Sequence, residues 1–160
     1  MNKLAPQIDL VYLWVDSNDI EWQKKKRLYE NYAKNRSEDA ISNCRFINNE
    51  ELKYSLRSVE QNIPWINKIY IVTDNQVPTW LNTNNPQIEI INHEDIIPKD
   101  RLPLYNSCAI ETRIPFIRNL SEQFIYANDD MLFWQPVEPN FFFKNNKPVY
   151  IAGKRILNKK

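Results

Sequence analysis

Ile8-Asp9-Leu10-Val11-Tyr12-Leu13-Trp14-Val15-Asp16 is the stretch on which the fold turns. Residues 8–15 are almost wholly apolar, β-branched or aromatic, and the run ends abruptly in Asp16-Ser17-Asn18-Asp19. Too short for a membrane helix, such a run reads as a strand covered on both faces. Three further runs repeat the pattern, at 69–73, 88–91 and 124–127. Each again ends in polar residues: Asp74-Asn75-Gln76, Asn92-His93-Glu94-Asp95 and Asn128-Asp129-Asp130.

Helical periodicity fills the gaps between these runs. Residues 19–34 form a charged stretch with Trp22, Leu28, Tyr29 and Tyr32 at inner positions. In 49–62, Leu52, Leu56, Val59 and Ile63 recur at steps of four, three and four, one face of a helix. Asn48 is placed to cap that helix, with Glu51 three residues on, and Pro64 ends it. Residues 106–118 read as a helix capped by Ser107 and kinked or shortened by Pro115. Strands alternating with helices predict an α/β fold, a mostly parallel sheet flanked by helices.

Composition removes several function classes. Lys and Arg total 21 against 20 Asp and Glu, so charge gives no case for nucleic acid or an anionic membrane as partner. The single glycine, Gly153, excludes a Walker A loop and a dinucleotide fingerprint. Two cysteines, Cys44 and Cys108, make neither a disulfide framework nor a four-ligand zinc site, and read as thiols of a reducing compartment. No transmembrane or targeting segment is visible, so a cytoplasmic chain is expected.

In open α/β sheets ligands bind at the carboxyl ends of the strands. Four polar clusters fall on that one predicted edge, together with the only histidine, His93. For any one cluster, turn and cap chemistry is the plainer reading. Asn128-Asp129-Asp130 is the sharpest, because adjacent carboxylates repel and a hard cation, Mg2+ or Mn2+, resolves the repulsion. Arg57 stands one step from the apolar helix face; it either clamps a diphosphate or pairs with a carboxylate to hold the helix. Lys24-Lys25-Lys26-Arg27 reads as a solvated helix face, and His93 as structural before catalytic.

The ordered motifs resemble the Stealth family of sugar-1-phosphate transferases, which includes bacterial capsular polysaccharide phosphotransferases and the N-acetylglucosamine-1-phosphotransferase of eukaryotes. Residues 8–16 look like its first block. Arg45-Phe46, Glu51 to Ser58, Pro64-Trp65, residues 68–76, Pro78, Trp80-Leu81-Asn82, residues 95–98, Asn106-Ser107 and residues 124–131 look like its second. The resemblance implies a fold similar to a type-A, Rossmann-like glycosyltransferase. It implies transfer of a sugar-1-phosphate from a nucleotide sugar, such as a UDP-hexosamine, to a glycan acceptor hydroxyl in capsule or surface-polysaccharide synthesis, with a divalent cation assisting. By the same resemblance Asn128 and Asp130 belong to the active centre, and Asp129 and Asp130 are the metal candidates. Trp14, Asp16, Asp74, Asn75 and Gln76 are expected at the donor site, with Arg57 as the diphosphate candidate.

Two departures stand out. Ser17 replaces the glycine usual after the first block, and the family's third and fourth blocks, with a catalytic histidine and an arginine, have no counterpart here. Residues 1–151 are therefore expected to be the N-terminal part of a catalytic domain, with 152–160 a frayed tail. Alone, that part is expected to be inactive, with self-association or a further C-terminal segment covering its apolar surface. Inner-membrane peripheral association is the furthest departure expected from a cytoplasmic location. Two rivals remain: a non-catalytic module binding nucleotide sugar or a partner, and an ordinary metal-dependent glycosyltransferase, which would release UDP in place of UMP.

Overall fold

The computed structural model describes residues 7–32 and 49–150, with backbone alone for 30–32. Cys44, Arg45, Asn48, the Tyr32 side chain and the tail 152–160 lie outside the described residues. Four strands, β1 (Ile8–Leu13), β2 (Ile69–Thr73), β3 (Ile88–Asn92) and β4 (Gln123–Asn128), form one parallel sheet in the order β3-β2-β1-β4. The α/β reading from sequence holds, with strand ends displaced by no more than two residues.

Alternation on β1 explains why its sequence is apolar throughout. Leu10, Tyr12 and Trp14 join Ile69 and Ile71 on one face, beneath Leu52, Val59 and Ile63. Val11 joins Tyr70, Val72 and Ile91 on the other, beneath Ile96, Ile110, Ile114 and Ile117. The first cover is helix α2 (Glu51–Asn62), the periodic segment. Each of its fully buried aliphatic side chains contributes roughly 1.5 to 3 kcal/mol. The second cover is built from short pieces: α3 (His93–Ile96), α4 (Ser107–Glu111) and a 3-10 turn at Ile114–Phe116. Helix α1 (Ile20–Tyr32) packs Trp22 edge-on against Tyr105, ring centres 5.6 Å apart.

Several local expectations need correction. The cap position of α2 is Glu50, in a left-handed conformation and with no side-chain cap, while Glu51 bonds the Asn49 backbone N–H and side-chain amide instead. Asn106, not Ser107, caps α4. The helix read over 106–118 is shortened as Pro115 implies: it ends at Glu111, whose carbonyl Pro115 has no N–H to meet. Leu28 is exposed, and Lys26 is buried within the face expected to be solvated.

The chain's many asparagines do work that glycine does elsewhere. Asn75, Asn119, Asn145 and Asn146 all take positive φ, a conformation asparagine tolerates better than most residues. Asn145 and Asn146 form the two-residue turn between β5 (Phe143–Lys144) and β6 (Lys147–Pro148).

The amino end of the sheet is tied by one buried aspartate. Asp9 accepts hydrogen bonds from Asn67 Nδ2 at 2.7 Å, the Lys68 N–H at 3.1 Å and the Ser121 N–H at 2.7 Å. These bonds join the segments leading into β2 and β4, and they satisfy a carboxylate with no exposure of its own.

Candidate active site

Strand order fixes where the site falls. The chain steps from β1 to β2 to β3 in one direction, then returns across the sheet to place β4 on the far side of β1. A crevice at the carboxyl ends of β1 and β4 marks this switch point, the usual ligand position in open α/β sheets. Leu13 and Asn128 are the last registered pair of these strands, so Trp14 and Asp129 leave the sheet side by side. A cleft of about 300 Å3 opens there, lined by Trp14, Trp22, His93, Tyr105, Tyr126, Asn128, Asp129 and Asp130 among others.

Asp129 carries the electrostatics of this cleft. Burial, then the charge of Asp130, push its carboxyl above the usual range, against the pull of the Asp129 and Asp130 backbone N–H groups. Among the described residues neither carboxylate has a cationic partner. Beside them the Tyr126 hydroxyl lies 3.0 Å from Asn128 Oδ1 and 3.2 Å from Glu111 Oε1. Bonding to the Asn128 oxygen leaves the amide N–H groups to face outward. Burial and the Glu111 charge raise the Tyr126 pKa, so the phenol stays a donor. Burial lowers the His93 pKa and favours the neutral imidazole.

The loop bearing these acids is laced to α2. Ser55 Oγ donates to the Met131 carbonyl at 2.5 Å, so its own acceptor site receives the buried Tyr12 hydroxyl at 2.7 Å. Burial pushes the Tyr12 phenol up to about 12, which keeps that proton in place. Ser58 Oγ accepts from the Phe133 N–H, Asn62 donates to the Phe133 carbonyl, and Trp65 Nε1 donates to the Val137 carbonyl. Ser55, Ser58 and Asn62 recur along one helix face, so a single rigid element sets the path of residues 131–137.

The other expected site residues are dispersed. Asp16, Asn75 and Gln76 line a second hollow of about 360 Å3 that adjoins the cleft at Trp14. Gln76 is spent on the backbone: its Oε1 accepts from the Asp16 N–H at 2.8 Å and its Nε2 donates to the Asp16 carbonyl at 2.9 Å. Asp16 Oδ1 closes a turn onto the Asn18 N–H. Asp74 forms an ion pair with Lys25 at 2.7 Å, which also draws the basic face of α1 toward the sheet. Arg57 reaches neither hollow. It lies 5.6 Å from the centre of the Tyr54 ring and lines a third depression, away from the paired acids.

Trp22, Tyr105 and Tyr126 were not singled out as cleft residues by the sequence. Trp22 sits at a position that periodicity assigns to packing, and Tyr105 lies in a loop without a motif of its own. Only the topology brings them to the same crevice.

The residues present fit an octahedral cation that keeps most of its water. Among the described residues no three His, Cys, Asp or Glu gather into a metal cage. Mg2+ needs no such cage, since one or two carboxylates plus water and phosphate oxygens suffice. Asp129, partly buried, and Asp130, exposed beside it, have no cationic partner among the described residues and meet that requirement. Among the described residues no helix is long and apolar enough to cross a membrane.

Comparison with known proteins identifies the family. Stealth protein conserved region 1 matches residues 6–33, and conserved region 2 matches residues 45–150. A capsular polysaccharide phosphotransferase of Haemophilus influenzae is 47% identical over 91% of the chain, and one of Neisseria meningitidis serogroup A is 45% identical over 86%. An exopolysaccharide phosphotransferase of Streptomyces coelicolor is 44% identical over 87%. The chain spans 40%, 25% and 23% of those three relatives, in that order. With both conserved regions present in order, and the second alone covering most of the chain, this protein belongs to the Stealth family.

Proposed function

We propose that this chain forms the donor- and cation-binding part of a phosphotransferase of capsular or surface-polysaccharide synthesis, acting on a nucleotide sugar such as a UDP-hexosamine. The observation that carries the reading is the pair Asp129 and Asp130, uncompensated by any described cation at the switch-point crevice. The names of the relatives, which are polysaccharide phosphotransferases, support it.

In the reaction proposed, an acceptor glycan hydroxyl oxygen attacks the phosphorus that bears the sugar. The pyrophosphate P–O bond breaks, the nucleoside monophosphate leaves and the hydroxyl proton passes to a base. Such transfers depend on positioning and charge neutralisation more than on covalent help from the protein. Asp129 and Asp130 would hold Mg2+ or Mn2+, which when bound neutralises charge on the phosphate oxygens. Asn128, its oxygen engaged by Tyr126, presents amide N–H groups to the donor. Tyr105, half-buried and braced edge-on by the buried Trp22, offers an aromatic surface that suits a nucleobase. His93 lines the cleft, but burial disfavours its protonated form, so it is left out of the proton transfer. Relatives are more than twice as long, and on this reading the 160 residues alone bind donor but turn over little. A cytoplasmic setting goes with the reading.

Calorimetric titration with UDP-hexosamines, with and without Mg2+ or Mn2+, tests it. Cation-dependent binding that Asp130→Ala weakens by about 10-fold or more is expected. Equal binding with and without cation, or an unaffected variant, overturns the proposed cation role. Product analysis of a longer relative then separates the chemistries: UMP marks sugar-1-phosphate transfer, and UDP marks glycosyl transfer.

A further inference from the structure

Arg57 and the Trp80-Leu81-Asn82 motif stand outside the switch-point cleft. They meet in a hollow of about 420 Å3 between α2 and the segment joining β2 to β3. This hollow adjoins the second one at Trp80, and the second adjoins the cleft at Trp14. Three depressions thus follow one another, with a tryptophan at each junction.

The chemistry of the third depression is distinctive. Asn82 Oδ1 accepts from the Asn84 N–H at 3.1 Å, and Asn85 Oδ1 accepts from the Gln87 N–H at 3.0 Å. Both amides are thereby oriented, and their NH2 groups have no partner among the described residues. The Arg57 guanidinium has no carboxylate partner among the described residues either; its one contact is the Tyr54 ring. Lys53 is bonded to Glu50 at 2.8 Å and stands 6.0 Å from the Trp80 ring centre, which leaves two ammonium hydrogens free to turn. The floor is aliphatic, from Val59, Ile63, Ile69 and Ile88; the polar rim beside the Trp80 indole consists mainly of donors, with Glu60 its single carboxylate.

A rim of donors and cations repels a metal ion, and an aliphatic floor beneath it suits the apolar face of a sugar ring. The hollow matches a hydroxyl-rich anion whose sugar rings lie against an indole. We propose that this hollow is a distal subsite for a phosphate-bearing saccharide, held several units from the reacting end. The occupant rests on the phosphotransferase reading, since phosphodiester-linked glycan is what such a reaction extends. The donor needs only the cleft and its neighbour, which leaves the third depression to the acceptor.

Length dependence of binding is the test. Synthetic hexose-1-phosphate oligomers of two, four and six repeats are titrated onto the full chain, followed by calorimetry. The six-repeat oligomer is expected to bind about 10-fold more tightly than the two-repeat one. Arg57→Gln, at an exposed position, and Trp80→Ala should each abolish most of that gain, with Trp80→Phe restoring part of it. UDP-hexosamine binding in the presence of Mg2+ should be unchanged in Arg57→Gln, since Arg57 lines neither the cleft nor the second hollow. Equal affinity for every length, or variants that bind like the parent, overturns the subsite. So does a neutral dextran hexamer that binds as well, or inorganic phosphate that competes as strongly as the oligomer. Failure of the phosphotransferase reading looks different: the oligomers still bind with length dependence while the nucleotide sugar does not bind at all.

Discussion

The two ends of the sheet treat their carboxylates in opposite ways. At the amino end Asp9 is fully buried, and three N–H donors of the fold close around it. At the carboxyl end Asp129 is partly buried beside a second acid, and burial with that neighbour raises its pKa. Asp74, at the exit of β2, is intermediate: it is paired, but with a lysine that is itself 42% exposed. The fold completes the first carboxylate, shares the third with solvent and leaves the second for a ligand. Acidic residues at strand ends therefore differ by what compensates them, and that difference points to the reactive end.

Breaking the amino end should have the largest effect. Asp9→Ala removes the acceptor of three buried or partly buried N–H groups and is expected to cost about 3 kcal/mol or more. Asp9→Asn keeps one acceptor oxygen and should cost less. Urea unfolding of both variants measures this; an Asp9→Ala loss under about 1 kcal/mol would remove the structural half of the comparison.

The intermediate case should respond to salt. Asp74→Asn loses the pair with Lys25, and the expected cost is about 1 kcal/mol at low ionic strength. Raising salt should shrink the difference between parent and variant, because one partner lies open to solvent. A salt-independent loss would mean that Asp74 acts through packing or a neutral hydrogen bond.

How much of this was readable beforehand depends on range. The four strands were legible because β1 and β2 are buried on both faces, which leaves no room for polar residues within them. The face of α2 was legible from Leu52, Val59 and Ile63, but apolar periodicity says nothing of the polar Ser55 and Asn62, which are buried as well. Their role emerges only when Met131 and Phe133, more than 70 residues away, arrive to be bonded. Asp129 and Asp130 were legible as a repelling pair. Asp74 and Gln76 were expected at the donor site, yet Lys25 and the Asp16 backbone occupy them. Arg57 was placed at the right helix step and assigned to a donor site from which the fold holds it apart. Spacing reports which face a residue shares; it does not report which partner the tertiary fold brings.

The smallest effect is the most informative, because its sign is opposite. A carboxyl whose folded pKa is raised binds its proton more tightly in the folded state. Its ionisation therefore subtracts stability as pH rises above the ordinary carboxylate range and subtracts nothing where the group is neutral in both states. Asp129→Asn should accordingly stabilise the chain at neutral pH, by about 0.5 kcal/mol, and the gain should fade as pH falls through the carboxylate range. Mg2+ or Mn2+ should raise the Tm of the parent by offsetting the same repulsion, and should leave Asp129→Asn nearly unmoved. Thermal melts across pH, with and without the cation, read both effects. A destabilised variant at neutral pH would show that Asp129 is compensated by the fold after all, as Asp9 is, and the two ends of the sheet would no longer differ.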